Sequence, residues 1–252
     1  MSFDWLPVGF FATALLYASV GFGGGSTYNA LLALADTDFR VLPIISLCCN
    51  IAVVTGGTIR FARAGQVPWR DALKVALVAA PLAFLGGLTP VKEEHFLLLL
   101  GASLVLAGIA LLVVPQPPAD EAPEGTTRKR SGRWMPLAAV PIGYLAGLVG
   151  IGGGIFLAPL LHLTRWNSAR RIAATTSLFI LINSITGLAG QLAKAGPDRF
   201  VEAFGWGLPL LLAVVVGGQL GSLLAIRLLP EKVIRWLTGG LTIWAGSRLL
   251  LG

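Results

Sequence analysis

The chain has 252 residues, 55% hydrophobic and only 12% charged, with a mean hydropathy of +0.79. Soluble domains carry about 25% charged residues, so this composition excludes an ordinary soluble globule. The net charge of +7 would suggest nucleic acid in a soluble chain. Here the basic residues lie in short stretches between apolar runs, where they set membrane orientation instead, which excludes nucleic acid as a partner.

Eight apolar segments follow one another: Trp5–Ala35, Leu42–Phe61, Ala72–Leu88, Phe96–Val114, Met135–Leu163, Ile172–Leu192, Phe204–Ile226 and Val233–Leu251. Crossing a bilayer core takes about 20 such residues, and no alternating ten-residue pattern suggests a barrel. The expected class is an all-α polytopic membrane protein. No Lys or Arg precedes the first run, so the N-terminus is expected to be retained rather than cleaved as a signal peptide. Cys48 and Cys49 are adjacent and apolar in setting, with no disulfide or metal spacing.

Two segments are interrupted. Gly21-Phe22-Gly23-Gly24-Gly25 breaks the first and Gly150-Ile151-Gly152-Gly153-Gly154 breaks the fifth. Glycine costs about 1 kcal/mol relative to alanine inside a helix, so a continuous helix through either cluster is disfavoured. Interrupted segments at matching places in two halves point to a transporter binding site; glycines that merely let helices pack closely would suit an isolated small-residue pair better.

The halves repeat. An offset of 131 pairs Arg40 with Arg171, Ser46 with Ser177, Thr55-Gly56 with Thr186-Gly187 and Gly86-Gly87 with Gly217-Gly218, and the glycine clusters pair at 129. Residues 1–114 form a first membrane repeat and 134–252 a second. Between them, 115–133 is a linker rich in Pro, acidic residues and Arg128-Lys129-Arg130. If all eight segments span, eleven basic residues face one side and eight the other. If the two broken segments are re-entrant hairpins, one side holds Arg40, Lys92, Lys194, Arg199 and Arg248, and the other fourteen of the nineteen face the opposite side. The second arrangement obeys the positive-inside rule far better. It predicts two inverted repeats, each a Gly-broken hairpin plus three transmembrane helices, with the linker cytoplasmic and both termini periplasmic.

All twelve carboxylates lie in loops or at segment ends, and His95 and His162 fall near segment ends, where an interfacial position is expected. The interior should be neutral or positive, which suits an anion and lacks the embedded relays of proton pumps. Each glycine break leaves a following half-helix with unpaired N–H groups and a positive dipole end, which binds anions without a buried cation. The predicted substrate-binding residues are Gly23, Gly24, Gly25, Ser26, Thr27 and Asn29 at the first tip, and Gly152, Gly153 and Gly154 at the second. Ser46 and Asn50 join them from the segment after the first tip, and Thr176, Ser177 and Asn183 from the segment after the second. Serine and threonine in membrane helices often bond only to their own backbone. Arg40, Arg170 and Arg171 fit topology anchors, and also recruitment of anions at a pore mouth. No catalytic residue, metal site or cofactor is expected.

These motifs resemble the sulfite exporter TauE/SafE family of bacterial membrane proteins. Residues 147–161, GLVGIGGGIFLAPLL, followed by Ala174-Thr175-Thr176-Ser177-Leu178, look like its second-half signature, with Pro159 downstream of the cluster. The first half fits through Gly21–Gly25 and the basic stretch Arg60–Arg70. One departure is Ala30, where the second half has Pro159. The resemblance implies an inner-membrane transporter exporting sulfite or a small organosulfonate, in a lipid bilayer, with homodimerisation left open. A passive anion channel fits the same residues. An intramembrane lipid-processing enzyme would need an embedded nucleophile with a base or metal cluster, and none is visible.

Overall fold

The computed structural model describes residues 5–19, 21–114, 134–224 and 231–251; the 115–133 linker lies outside them. Ten helices and no strands occur among the described residues. They are α1 (Leu6–Ser19), α2 (Gly25–Leu34), α3 (Leu42–Arg63), α4 (Trp69–Leu88), α5 (Glu93–Val113), α6 (Met135–Val149), α7 (Gly154–Leu163), α8 (Ala169–Ala195), α9 (Pro197–Leu224) and α10 (Glu231–Leu251). The chain is an all-helical polytopic membrane protein. Helices α3, α4, α5 and α8 are each long and apolar enough to cross a bilayer, and α9 carries an apolar stretch over Gly207–Gly221.

Both glycine-broken segments split as expected, and each folds back on itself. Gly24 and Gly153 take left-handed φ values of 83° and 78° immediately before α2 and α7, a conformation that a β-carbon would strain. In the first hairpin, Phe10 of α1 stacks on Tyr28 of α2 at 4.7 Å, and the Tyr17 hydroxyl meets Thr27 Oγ1 at 2.8 Å. At the second, Gly153 sits against Ala146 and Ile142. The returning arms have ten residues each, about 15 Å of helix, half of a hydrocarbon core of about 30 Å.

Several helices begin before their apolar runs: α4 at Trp69, α5 at Glu93, α8 at Ala169, α9 at Pro197. Their first turns are polar and, in α4 and α5, carry Asp71 or Glu93 and Glu94. Acidic groups there complement the positive helix end, a stabilisation that hydropathy does not register.

The two halves interlock. α4 packs beside α6 and α1 beside α9, each a helix of one half against a helix of the other. These contacts rest on backbone proximity: a β-carbon at Gly147 would overlap the Ala83 carbonyl, and one at Gly221 the Leu15 carbonyl. Small residues at such crossings are how membrane helices pack without a hydrophobic drive between them.

Helix directions follow from the contacts. Leu47 of α3 meets Gly187 of α8, while Gly57 and Thr58 meet Ser177, so the equivalent helices α3 and α8 run antiparallel. So do α5 and α10, where Gly101 meets Leu250 and Gly108 meets Ile243. The starts of α3 and α5 meet through Phe39 and Phe96. One face of the bundle therefore gathers the starts of α1, α3 and α5 and the end of α10. The α6–α7 hairpin enters from the opposite face.

Candidate functional site

The two hairpin tips converge where α3 crosses α8. Each presents a helix start with no side-chain cap. In α2 the first helical bonds come from the Thr27 and Tyr28 amides to the Gly24 carbonyl, and in α7 from the Phe156 and Leu157 amides to Gly153. The amides of Gly25 and Ser26, and of Gly154 and Ile155, precede those bonds and point out of the helix ends.

Asn50 of α3 lies between the tips. It is fully buried, and neither its Nδ2 nor its Oδ1 has a hydrogen-bond partner in the protein. A β-carbon on Gly23 or Gly25 would overlap the Asn50 amide, and one on Gly152 would lie 2.8 Å from Asn50 Nδ2. Leaving a buried amide unpaired costs about 1–3 kcal/mol, so this orphan calls for a partner. Across from it, Ile180 of α8 touches Gly23 and Gly152, with Gly154 against Ile180 and Thr176. The repeats are thus asymmetric at the centre, with an amide on one helix and an aliphatic side chain on the other.

The other residues expected from sequence divide into two groups. Gly23, Gly25, Gly152 and Gly154 line the centre, and Ser26 is buried in the first turn of α2. Thr176 is buried there too, with its Oγ1 unpartnered. The rest carry bonds that hold the frame. Gly24 and Gly153 form the left-handed caps. Ser46 Oγ donates to the Gly25 carbonyl at 2.7 Å, and Asn29 Nδ2 to the Val149 carbonyl at 2.7 Å, tying α2 to the end of α6. Thr27 bonds Tyr17, which also meets Thr242 of α10 at 3.1 Å. Ser177 Oγ pairs with Thr58 Oγ1 at 3.0 Å across the α3–α8 crossing. Asn183 donates to the Phe179 carbonyl of its own helix, leaving its Oδ1 unpartnered.

Ser184 joins the site without having stood out in the sequence. It is buried, its hydroxyl is unpartnered, and a β-carbon on Gly152 would lie 3.0 Å from its Oγ. Its signal is helical spacing: Thr176, Ile180 and Ser184 recur every four residues and share one face of α8. His162 is buried in the last turn of α7, where that short arm packs against α8, and His95 is exposed near the start of α5.

No Asp, Glu, Lys or Arg is buried among the described residues, and no group of His, Cys, Asp or Glu there could hold a metal. What remains is a set of amide, hydroxyl and backbone donors at two helix N-termini. Ser177→Ala should act on the frame: it strands Thr58 and is expected to lower stability by about 1 kcal/mol. A thermal-shift measurement should detect this, with ligand affinity unchanged.

Among known proteins, the chain is 31% identical over 256 residues to a probable membrane transporter protein, y4hK, of Sinorhizobium fredii, covering 97% of both chains. It is 31% identical over 219 residues to a probable membrane transporter protein of Xylella fastidiosa strain Temecula1, covering 83% of this chain and 80% of that one. A probable membrane transporter protein, MamO, of Magnetospirillum gryphiswaldense is 27% identical over 237 residues, which is 78% of this chain but 36% of that longer protein. No solved structure matches. The sequence model described as Sulfite exporter TauE/SafE spans residues 5–249, taking in both glycine-tipped hairpins and all ten helices between and around them. The chain is a membrane transporter that belongs to the sulfite exporter TauE/SafE family.

Proposed function

We propose that this transporter exports a small oxyanion, sulfite or an organosulfonate, across the bacterial inner membrane, and that the anion binds between the two hairpin tips. The observation that carries this is the Asn50 amide, buried and unpartnered, set against two uncapped helix starts. Each helix start supplies about half a unit of positive charge. Nδ2 of Asn50, Thr176 Oγ1 and Ser184 Oγ can donate to anionic oxygens.

The same set favours a monoanion over a dianion. Two half-charges balance one negative charge, and Asn50 Oδ1 remains to accept a hydrogen bond from a protonated oxygen. Sulfite bears such a proton as its monoanion, so the substrate carries its own proton, and no embedded carboxylate is required. A monoanion leaving a negative interior gains about 2.3 kcal/mol per 100 mV. Reconstituted flux at fixed total sulfite should therefore fall as pH rises through neutrality and the monoanion is depleted, and should respond to an imposed potential. Flux that follows the dianion, or that requires sodium and ignores the potential, would exclude this mechanism.

In the bilayer, the repeats are inverted in this reading. The face where α1, α3 and α5 begin is periplasmic, and the linker is cytoplasmic. Supporting this, α3 runs antiparallel to α8 and α5 to α10, so among the described residues Arg40, Lys92, Lys194 and Arg248 lie toward the first face and Arg60, Arg63, Arg70, Lys74, Arg165, Arg170 and Arg171 toward the second. A single cysteine introduced at Gly125 should react with a membrane-impermeant maleimide only after the cells are opened. Labelling in intact spheroplasts would reverse the orientation.

A further inference from the structure

A cavity of about 630 Å³ opens on the face where α1 and α3 begin. Its walls carry Arg40 before α3, Lys92 before α5 and Lys194 near the end of α8, against one carboxylate, Glu93. These cations come from three separate places in the chain, brought together only by the fold. The one salt bridge among the described residues, Lys74–Asp71, lies at the other end of α4, so none of the three lies within 4.0 Å of a described carboxylate. Arg40 lies 5.3 Å from the centre of the Phe39 ring, and Lys194 Nζ donates to the Thr89 carbonyl at 3.3 Å. Both charges are thereby held at the wall.

Two of the residues lining the cavity, Pro43 and Gln191, belong to the helices that carry the buried site. Pro43 is seven residues before Asn50 on α3, and Gln191 is seven after Ser184 on α8. On both helices that is about 10 Å at 1.5 Å per residue. Between cavity and site runs the end of α6. Its last carbonyls would present the negative helix end to an incoming anion, but side-chain amides cover them. Gln191 Nε2 donates to Gly147 at 2.8 Å and to Leu148 at 3.2 Å, and Asn29 to Val149. Gly150 packs directly on Pro43, so the end of α6 lies against the start of α3.

We infer that this vestibule is a second anion site, an antechamber in which Arg40, Lys92 and Lys194 hold a hydrated oxyanion one step outside the buried site. The inference rests on the proposed oxyanion transport and adds to it a separate, weaker station. The volume accommodates an anion with its water, since it equals on the order of twenty water volumes. Binding there is through cations exposed to water, so it is screened by salt, whereas the buried site is not.

The test is equilibrium dialysis of radiolabelled sulfite against the full chain in phosphatidylcholine nanodiscs. Wild type should show two classes of site, one of them lost as ionic strength is raised from about 20 mM to 500 mM with gluconate salts, because the Debye length shrinks several-fold over that range. The Arg40→Gln/Lys92→Gln/Lys194→Gln variant should lose at least tenfold in affinity for the salt-sensitive class alone. Asn50→Leu should lose only the salt-resistant class. A triple variant that keeps both classes overturns the antechamber and leaves the transport reading intact. So does loss of the salt-sensitive class on adding phosphatidylglycerol, which would give these cations to lipid phosphate. Absence of both classes in wild type overturns the two proposals together.

Discussion

Asn50→Leu is expected to weaken oxyanion binding between the hairpin tips severely, and flux with it, while leaving a folded protein. Leucine has the same number of side-chain heavy atoms and removes two buried polar atoms that have no protein partner. Stability should therefore be unchanged or raised, because those atoms lose water on folding without recovering a bond. A hydrogen bond to a charged ligand is worth about 1.5–3 kcal/mol, so affinity should fall by roughly ten- to more than a hundredfold. Asn50→Asp should be at least as inactive, because a carboxylate between the two helix starts competes with the substrate for the same positive ends. Purified variants would be compared by thermal shift for folding and by reconstituted sulfite flux for function. An active, folded Asn50→Leu protein would remove this residue from the site.

The second large effect concerns the scaffold. Gly147→Ala adds one carbon where the Ala83 backbone carbonyl already sits. A side chain could swing aside, but two packed backbones cannot, so the α4–α6 pair must separate. The expected cost is upwards of about 3 kcal/mol. Because α4 and α6 belong to different halves, the damage should reach the whole bundle, and the detergent-solubilised protein should aggregate on gel filtration. Gly240→Ala in α10 is the control. Nothing lies within 4 Å of the added carbon and its backbone is helical, so it should gain about 1 kcal/mol from helix propensity. Equal behaviour of the two variants would contradict the close-packing account.

Much of this architecture is legible in the order of residues alone. The offsets of 131 and 129 locate the halves, and the four-in-five glycine clusters locate the turns of both hairpins. The basic asymmetry predicts which side each loop takes. What the sequence does not disclose is which way a polar side chain points on a helix that is apolar all round. Asn50 and Asn183 look alike in composition and hydropathy. Only the angle at which α3 crosses α8 turns Asn50 to the tips and leaves Asn183 bonded to its own helix, with Ser184 facing the centre in its place. Ser46 and Ser177 are counterparts by repeat, yet one ties a hairpin to its own half and the other joins the halves. The vestibule is equally hidden, since Arg40, Lys92 and Lys194 lie far apart in the chain, before α3, before α5 and in the last turn of α8.

The central claim is that an oxyanion sits between the hairpin tips. Selenite, the heavier analogue of sulfite, would locate it by anomalous scattering in crystals of the protein. The account predicts one peak within hydrogen-bonding reach of Asn50 Nδ2 and of the Gly25 and Gly154 amides, absent from Asn50→Leu crystals soaked alike. A peak confined to another place, or none between the tips at selenite concentrations that block sulfite flux, would contradict it.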